Sequence, residues 1–133
     1  MNAAHPLSPP AITLSQRDAA RLEALLETPA LRNTPAAESL LDELTRAEVV
    51  ADDQVPAHVV RMESVVECED ENGGERHVLT LVYPQDADVS TGRVSVLAPV
   101  GSALLGLSVG QSIDWAAPGG RQLRLKVTAV RSA

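Results

Sequence analysis

The chain has 133 residues, 44% of them hydrophobic but only 2% aromatic, and its 18 acidic and 11 basic side chains give a formal charge of -7. Tyr83 and Trp115 are the only large aromatics, so the core must be built from Leu, Val, Ile and Ala, and no platform exists for stacking bases or sugars. A surface of this sign repels phosphate backbones over roughly 8 to 10 Å, which argues against direct nucleic-acid binding and favours partners with basic patches.

Residues 1–13 hold Pro6, Pro9 and Pro10 with little to bury, and read as a flexible tail. Ser15 followed by Asp18 gives a capping-box-like start, and Ala19, Leu22 and Leu26 recur at helical spacing, predicting a helix that ends near Thr28 and Pro29. Residues 29–35 form a turn that closes with Thr34 as N-cap and Pro35 at the first helical position. From there Ala37, Leu40, Leu44, Ala47 and Ala51 step by three and four, a heptad seam. The two helices are expected to pair antiparallel as a short coiled-coil hairpin over residues 14–51. At about 14 and 16 residues they would reach only about 20 to 25 Å, and so short an arm must lean on the C-terminal domain for stability.

Residues 52–58, with Pro56, break the helical pattern and read as a hinge. The period then changes over residues 59–133. Residues 59–69 are extended, Asn72, Gly73 and Gly74 make a hairpin turn, and residues 77–83 form the clearest strand, ended by Pro84. Next come a strand over 94–97, a short helix over 100–105, a strand over 112–116 and a closing strand over 123–130. The fold class is α+β: a helical hairpin followed by a small, twisted, mostly antiparallel sheet with one short helix.

The residues offer little chemistry. Gly101 to Gly106 has the glycine spacing of a phosphate-binding loop, but Leu107 stands where the lysine must be, so the stretch reads as a helix capped at both ends by glycine. His5, His58 and His77 are scattered, with no partner at metal-ligand spacing. No G-x-S-x-G elbow presents a nucleophilic serine. Acids cluster at Glu67, Glu69, Asp70, Glu71 and Glu75, and again at Asp42, Glu43, Glu48, Asp52 and Asp53, without a calcium-loop spacing; both sets read as solvated faces. Cys68 is the lone cysteine, which excludes an intrachain disulfide, and in a strand-like stretch it reads as a small apolar residue. No catalytic residue, metal site or cofactor is expected. The N-terminal stretch lacks the basic and apolar regions of a signal peptide, and Pro99 and Gly101 interrupt the longest apolar run, so a cytoplasmic location without membrane contact is expected. The exposed acids favour a monomer.

The Ala98-Pro99-Val100-Gly101, Ala103-Leu104-Leu105-Gly106 and Pro118-Gly119-Gly120 blocks, in this order and spacing, resemble the C-terminal domain of the GreA/GreB transcript cleavage factors. More narrowly, Leu81-Val82-Tyr83-Pro84 and the short N-terminal helices are similar to the Rnk family of bacterial regulators of nucleoside diphosphate kinase. The resemblance runs from about residue 12 to residue 131. It implies an FKBP-like β-domain that docks on RNA polymerase near its secondary channel, and a link to nucleoside diphosphate kinase. Leu97, Ala98, Pro99 and Val100 are the expected contact. The Gre loop carries an Asp or Asn and a Ser before its proline; here Leu97 and Ala98 stand there and only the proline is kept. Gre factors also place acids on the tip of a longer coiled coil, whereas residues 28–35 contain none and Glu27 is the nearest. The resemblance therefore implies polymerase binding without transcript cleavage. Prolyl isomerase activity is not expected with two aromatics, and a stand-alone adaptor is the alternative reading.

Overall fold

The computed structural model describes residues 12–117 and 119–132, so most of the expected tail lies outside the described residues. The end of that segment is ordered: Ile12 is buried and Thr13 opens a strand, β1 (Thr13–Ser15), where the composition predicts a flexible tail. Ser15 Oγ accepts the Asp18 N–H at 3.0 Å and starts α1 (Gln16–Leu26), whose Ala19, Leu22 and Leu26 are buried as the spacing predicts. Thr34 Oγ1 likewise accepts the Ala37 N–H at 3.2 Å at the head of α2 (Pro35–Arg46).

The predicted seam holds through Ala37, Leu40 and Leu44 and then stops. Ala47 has extended dihedrals, and β2 (Glu48–Val50) pairs parallel with β1, Leu14 opposite Val49. Ala47 and Ala51 therefore belong to no helix. Two β-branched valines favour the extended chain, and the Glu48 N–H finds the Ile12 carbonyl at 2.9 Å. Helices of 11 and 12 residues span about 16 and 18 Å, shorter than the sequence pattern predicts. The expected hinge is also tied down, since the Arg17 N–H donates to the Asp52 carboxylate at 2.9 Å.

The rest is a five-stranded sheet with β3 (Ser64–Asp70), β4 (Arg76–Val82), β5 (Arg93–Ser95), β6 (Ser112–Ala117) and β7 (Arg121–Ser132) in the order β5-β4-β3-β7-β6. Its pairings are antiparallel except β4 with β5. The extended stretch predicted from residue 59 begins only at Ser64, because Glu63 takes a left-handed φ of 70° that interrupts it. Val66 and Cys68, Leu79 and Leu81, and Leu123, Leu125 and Val127 point to one face. That face, α1, α2 and a short helix, α3 (Pro99–Leu104), share one apolar cluster, so the helices rest on the sheet's own core.

The opposite face is the solvated surface that the acids predict, and it carries a row of ion pairs. Glu67 bridges Arg76 at 3.1 Å and Arg131 at 2.5 Å, and Arg124 lies between Glu71 and Asp114; at the end of the sheet, on the side of Leu123, Glu75 meets Arg121 at 3.1 Å. Asp70 is buried and accepts the Asn72 N–H at 3.0 Å, fixing the turn that the glycines predict. Among the described residues no cluster of His, Cys, Asp and Glu has the arrangement of a metal site, and no helix is long and apolar enough to cross a membrane.

Candidate partner-binding loop

The residues singled out for partner contact lie between β5 and α3. Val96, fully buried, donates its N–H to the Val82 carbonyl at 2.9 Å and anchors the chain beside β4. Ser95 then folds the backbone over: its Oγ accepts the Leu97 N–H at 3.0 Å and its carbonyl accepts the Ala98 N–H at 3.0 Å. Ala98 caps α3 and Pro99 occupies its first turn, where a missing N–H leaves nothing unpaired.

Gly101 sits inside this helix rather than capping it. A Cβ built there would fall 1.8 Å from the Ser95 carbonyl oxygen, so only glycine lets α3 lie directly on the β5 backbone. Gly106, at φ +80°, lies close against Ile12, whose Cβ would be 2.4 Å from an added methyl. These contacts give the glycine pair a packing role and account for the phosphate-loop spacing without a phosphate.

The four predicted contact residues are thus contiguous but not equivalent. Pro99 is exposed, Leu97 and Ala98 are half-buried against the core, and Val100 is buried within it at 8% exposure. Among the four, Leu97, Ala98 and Pro99 alone present surface, an apolar step on a rigid turn. At the far end of the helices, residues 27–34 form a tight turn held by the Leu31 and Arg32 N–H groups on the Thr28 carbonyl, each at 3.0 Å. Asn33 takes the left-handed φ of 67° that the turn requires.

Other candidates for chemistry are placed apart. Tyr83 follows β4 and Trp115 lies on β6, with β3 and β7 between them, so the two aromatics do not flank one peptide-sized pocket. Trp115 instead packs edge-on to His77, ring centres 5.3 Å apart. Cys68 is buried in β3, and burial pushes its thiol up to about 11. Burial likewise raises the Tyr83 hydroxyl above its ordinary value, assisted by the Asp18 carboxylate and opposed by Arg21.

What sequence reasoning missed is a concentration of arginines. Arg17 and Arg21 on α1, Arg61 before β3 and Arg93 on β5 line one cleft. They are dispersed along the chain, and only the fold brings them together.

Comparison with known proteins accounts for nearly all of the described chain in two parts. Residues 55–132 match the family described as transcription elongation factor GreA/GreB, C-terminal, and residues 10–50 match the Rnk N-terminus. The chain is 45% identical over 121 residues to the regulator of nucleoside diphosphate kinase of Escherichia coli K12, covering 91% of this chain and 89% of that one. It is 39% identical over 92 residues to transcription elongation factor GreA of Rhodospirillum rubrum, covering 69% of this chain and 58% of that protein. A solved structure of a GreA/GreB transcription elongation factor from Nitrosomonas europaea superposes with a TM-score of 0.80 at 48% identity, over 92% of this chain and 98% of that one. The two-part match, the near full-length relative and the shared fold together show that the chain belongs to the GreA/GreB family, with an N-terminal unit of the Rnk type.

Proposed function

We propose that this protein is a non-catalytic regulator of transcription that docks on RNA polymerase near its secondary channel, with the β5–α3 turn as its contact. The observation that carries this reading is the rigid apolar step of Leu97, Ala98 and Pro99, pinned by Ser95 and Gly101 on a family fold. Pre-ordered surfaces of this kind bind without paying for loop ordering. Val100 serves as the buried anchor beneath them. In this reading the β-unit is the FKBP-like docking module, and the two helices form the short hairpin that points toward the channel.

The arm separates binding from cleavage. Its helices span under about 20 Å, and residues 28–35 carry no carboxylate with which to hold a metal ion in the polymerase active site. The protein therefore occupies the Gre-factor site without stimulating transcript cleavage. A relative bears the name regulator of nucleoside diphosphate kinase. We extend a link to regulation of nucleoside diphosphate kinase to this chain on the strength of that relative.

Two assays test the reading together. Tagged protein captured from a bacterial lysate retains polymerase subunits, and excess GreA displaces them. Added to a stalled, backtracked elongation complex, the pure protein releases no cleaved RNA. Failure to retain polymerase refutes the docking, and RNA cleavage above the polymerase's own rate refutes the division between binding and chemistry.

A further inference from the structure

The chain carries 11 basic residues, and their distribution is uneven. Arg46, Arg76, Arg121, Arg124 and Arg131 are each held by a carboxylate. Among the described residues, Arg17, Arg21, Arg32, Arg61, Arg93 and Lys126 make no ion pair, and Arg17, Arg21, Arg61 and Arg93 line a single cleft of about 350 Å³ between α1 and the sheet. Four guanidinium groups gathered on one cleft of a chain of net charge -7 outnumber the three carboxylates, Asp18, Glu63 and Asp86, that line it with them, which leaves the cleft locally positive.

We propose that this cleft is a binding site for a compact anion carrying two or more phosphate groups. A guanidinium presents paired N–H donors that match a phosphate edge, and four of them lining one cavity supply donors enough for more than one phosphate. Arg93 stands beside Thr80 in the β4–β5 register, so a hydroxyl donor joins the same wall. The backbone at Glu63, also on the wall, keeps a left-handed φ of 70°, a local strain of the kind found where a site must be shaped.

The remaining groups narrow the ligand further. Asp18, Glu63 and Asp86 share the cleft and offset part of its positive charge, so a singly charged anion gains little there. A concentrated polyanion can bridge several guanidinium groups at short range and overcome that opposition. The overall negative charge turns away long acidic partners, whether nucleic acid or acidic protein, and so favours a small one. Arg21, Glu63 and Asp86 also border a shallower recess running to Tyr83 and Gln85, with room for an organic group attached to the phosphates. The cleft shares no lining residue with the β5–α3 turn, so the site stands or falls independently of polymerase docking.

Calorimetric titration of the full chain at about 150 mM salt, where exposed charges are screened beyond about 8 Å, provides the test. The probes are inorganic pyrophosphate, adenosine diphosphate and a phosphorylated acidic peptide. We expect micromolar binding of pyrophosphate and of the nucleoside diphosphate. The tighter of the two identifies whether the natural ligand is inorganic or organic. Arg21→Gln and Arg93→Gln, both at exposed positions, should each weaken it about ten-fold, whereas Arg121→Gln, paired with Glu75 outside the cleft, should leave it unchanged. Circular dichroism verifies that the variants remain folded. No binding of either diphosphate at millimolar concentration would overturn the site. So would equal affinity in the cleft variants, or binding of the peptide alone.

Discussion

At the scale of single residues, the strongest constraint is Gly101. With a Cβ placed 1.8 Å from a backbone oxygen, Gly101→Ala must push α3 off β5, and urea denaturation should show a loss of more than about 3 kcal/mol. The glycine spacing was legible in the sequence, but its reason was not, because a close approach between residues 95 and 101 leaves no periodic trace. Cys68 was legible: a lone cysteine among alternating apolar residues is a core residue, and it lies at 1% exposure. Its thiol, ordinarily ionising at 9.0, is held to about 11 in the folded protein. The unfolded chain therefore loses this proton first, so the thiol's contribution to stability is intact below pH 9.0 and is lost as pH rises toward 11. Comparing the pH dependence of denaturation in the wild type and Cys68→Ala should show the wild type falling more steeply across that window, by on the order of 2 kcal/mol. At pH 8 the native thiol should resist alkylation until the protein unfolds.

At the scale of elements, the helix starts, the hairpin turn and β4 were readable, since Ser15, Thr34, Pro35 and the paired glycines each carry a local signal. The β1–β2 pair was not. Strands of three residues lying 35 positions apart pair through tertiary contact, and Ala47 and Ala51, beyond the end of α2, fit a heptad by composition alone. The consequence is an arm fastened at its base. Asp18, buried at 7% exposure on α1, accepts the Met62 N–H at 3.1 Å just ahead of β3, tying the first helix to the sheet. Asp18→Ala leaves that N–H without its partner and should cost about 1 to 3 kcal/mol in chemical denaturation. Removing the helix cap with Ser15→Ala should cost about 1 kcal/mol by the same measurement. Neither substitution touches the β5–α3 turn. Retention of polymerase by both folded variants would show that docking resides in the β-unit, whereas its loss would place the contact on the arm.

At the scale of the whole molecule, the relation between charge, shape and partner decides the function. A surface of net charge -7 with an ion-paired outer sheet face suits a basic protein partner and works against nucleic acid. Association should therefore slow as salt is raised, and substitutions in the proposed contact at Leu97, Ala98 and Pro99 should change how long the complex lasts. The family and the α+β plan were legible from ordered sequence blocks. Which of the four loop residues face outward was not, because Val100 differs from its neighbours only in the direction its helix turns it. The measurement that bears most directly on the central claim is equilibrium binding of fluorescently labelled protein to purified core RNA polymerase, with unlabelled GreA as competitor and Pro99→Asp as the variant. Aspartate is tolerated at the first turn of a helix, so the variant keeps its fold while placing a charge on the apolar step. Saturable binding that GreA displaces and that Pro99→Asp weakens at least about ten-fold is the predicted result. Absence of binding, or binding that ignores both GreA and the substitution, would contradict it.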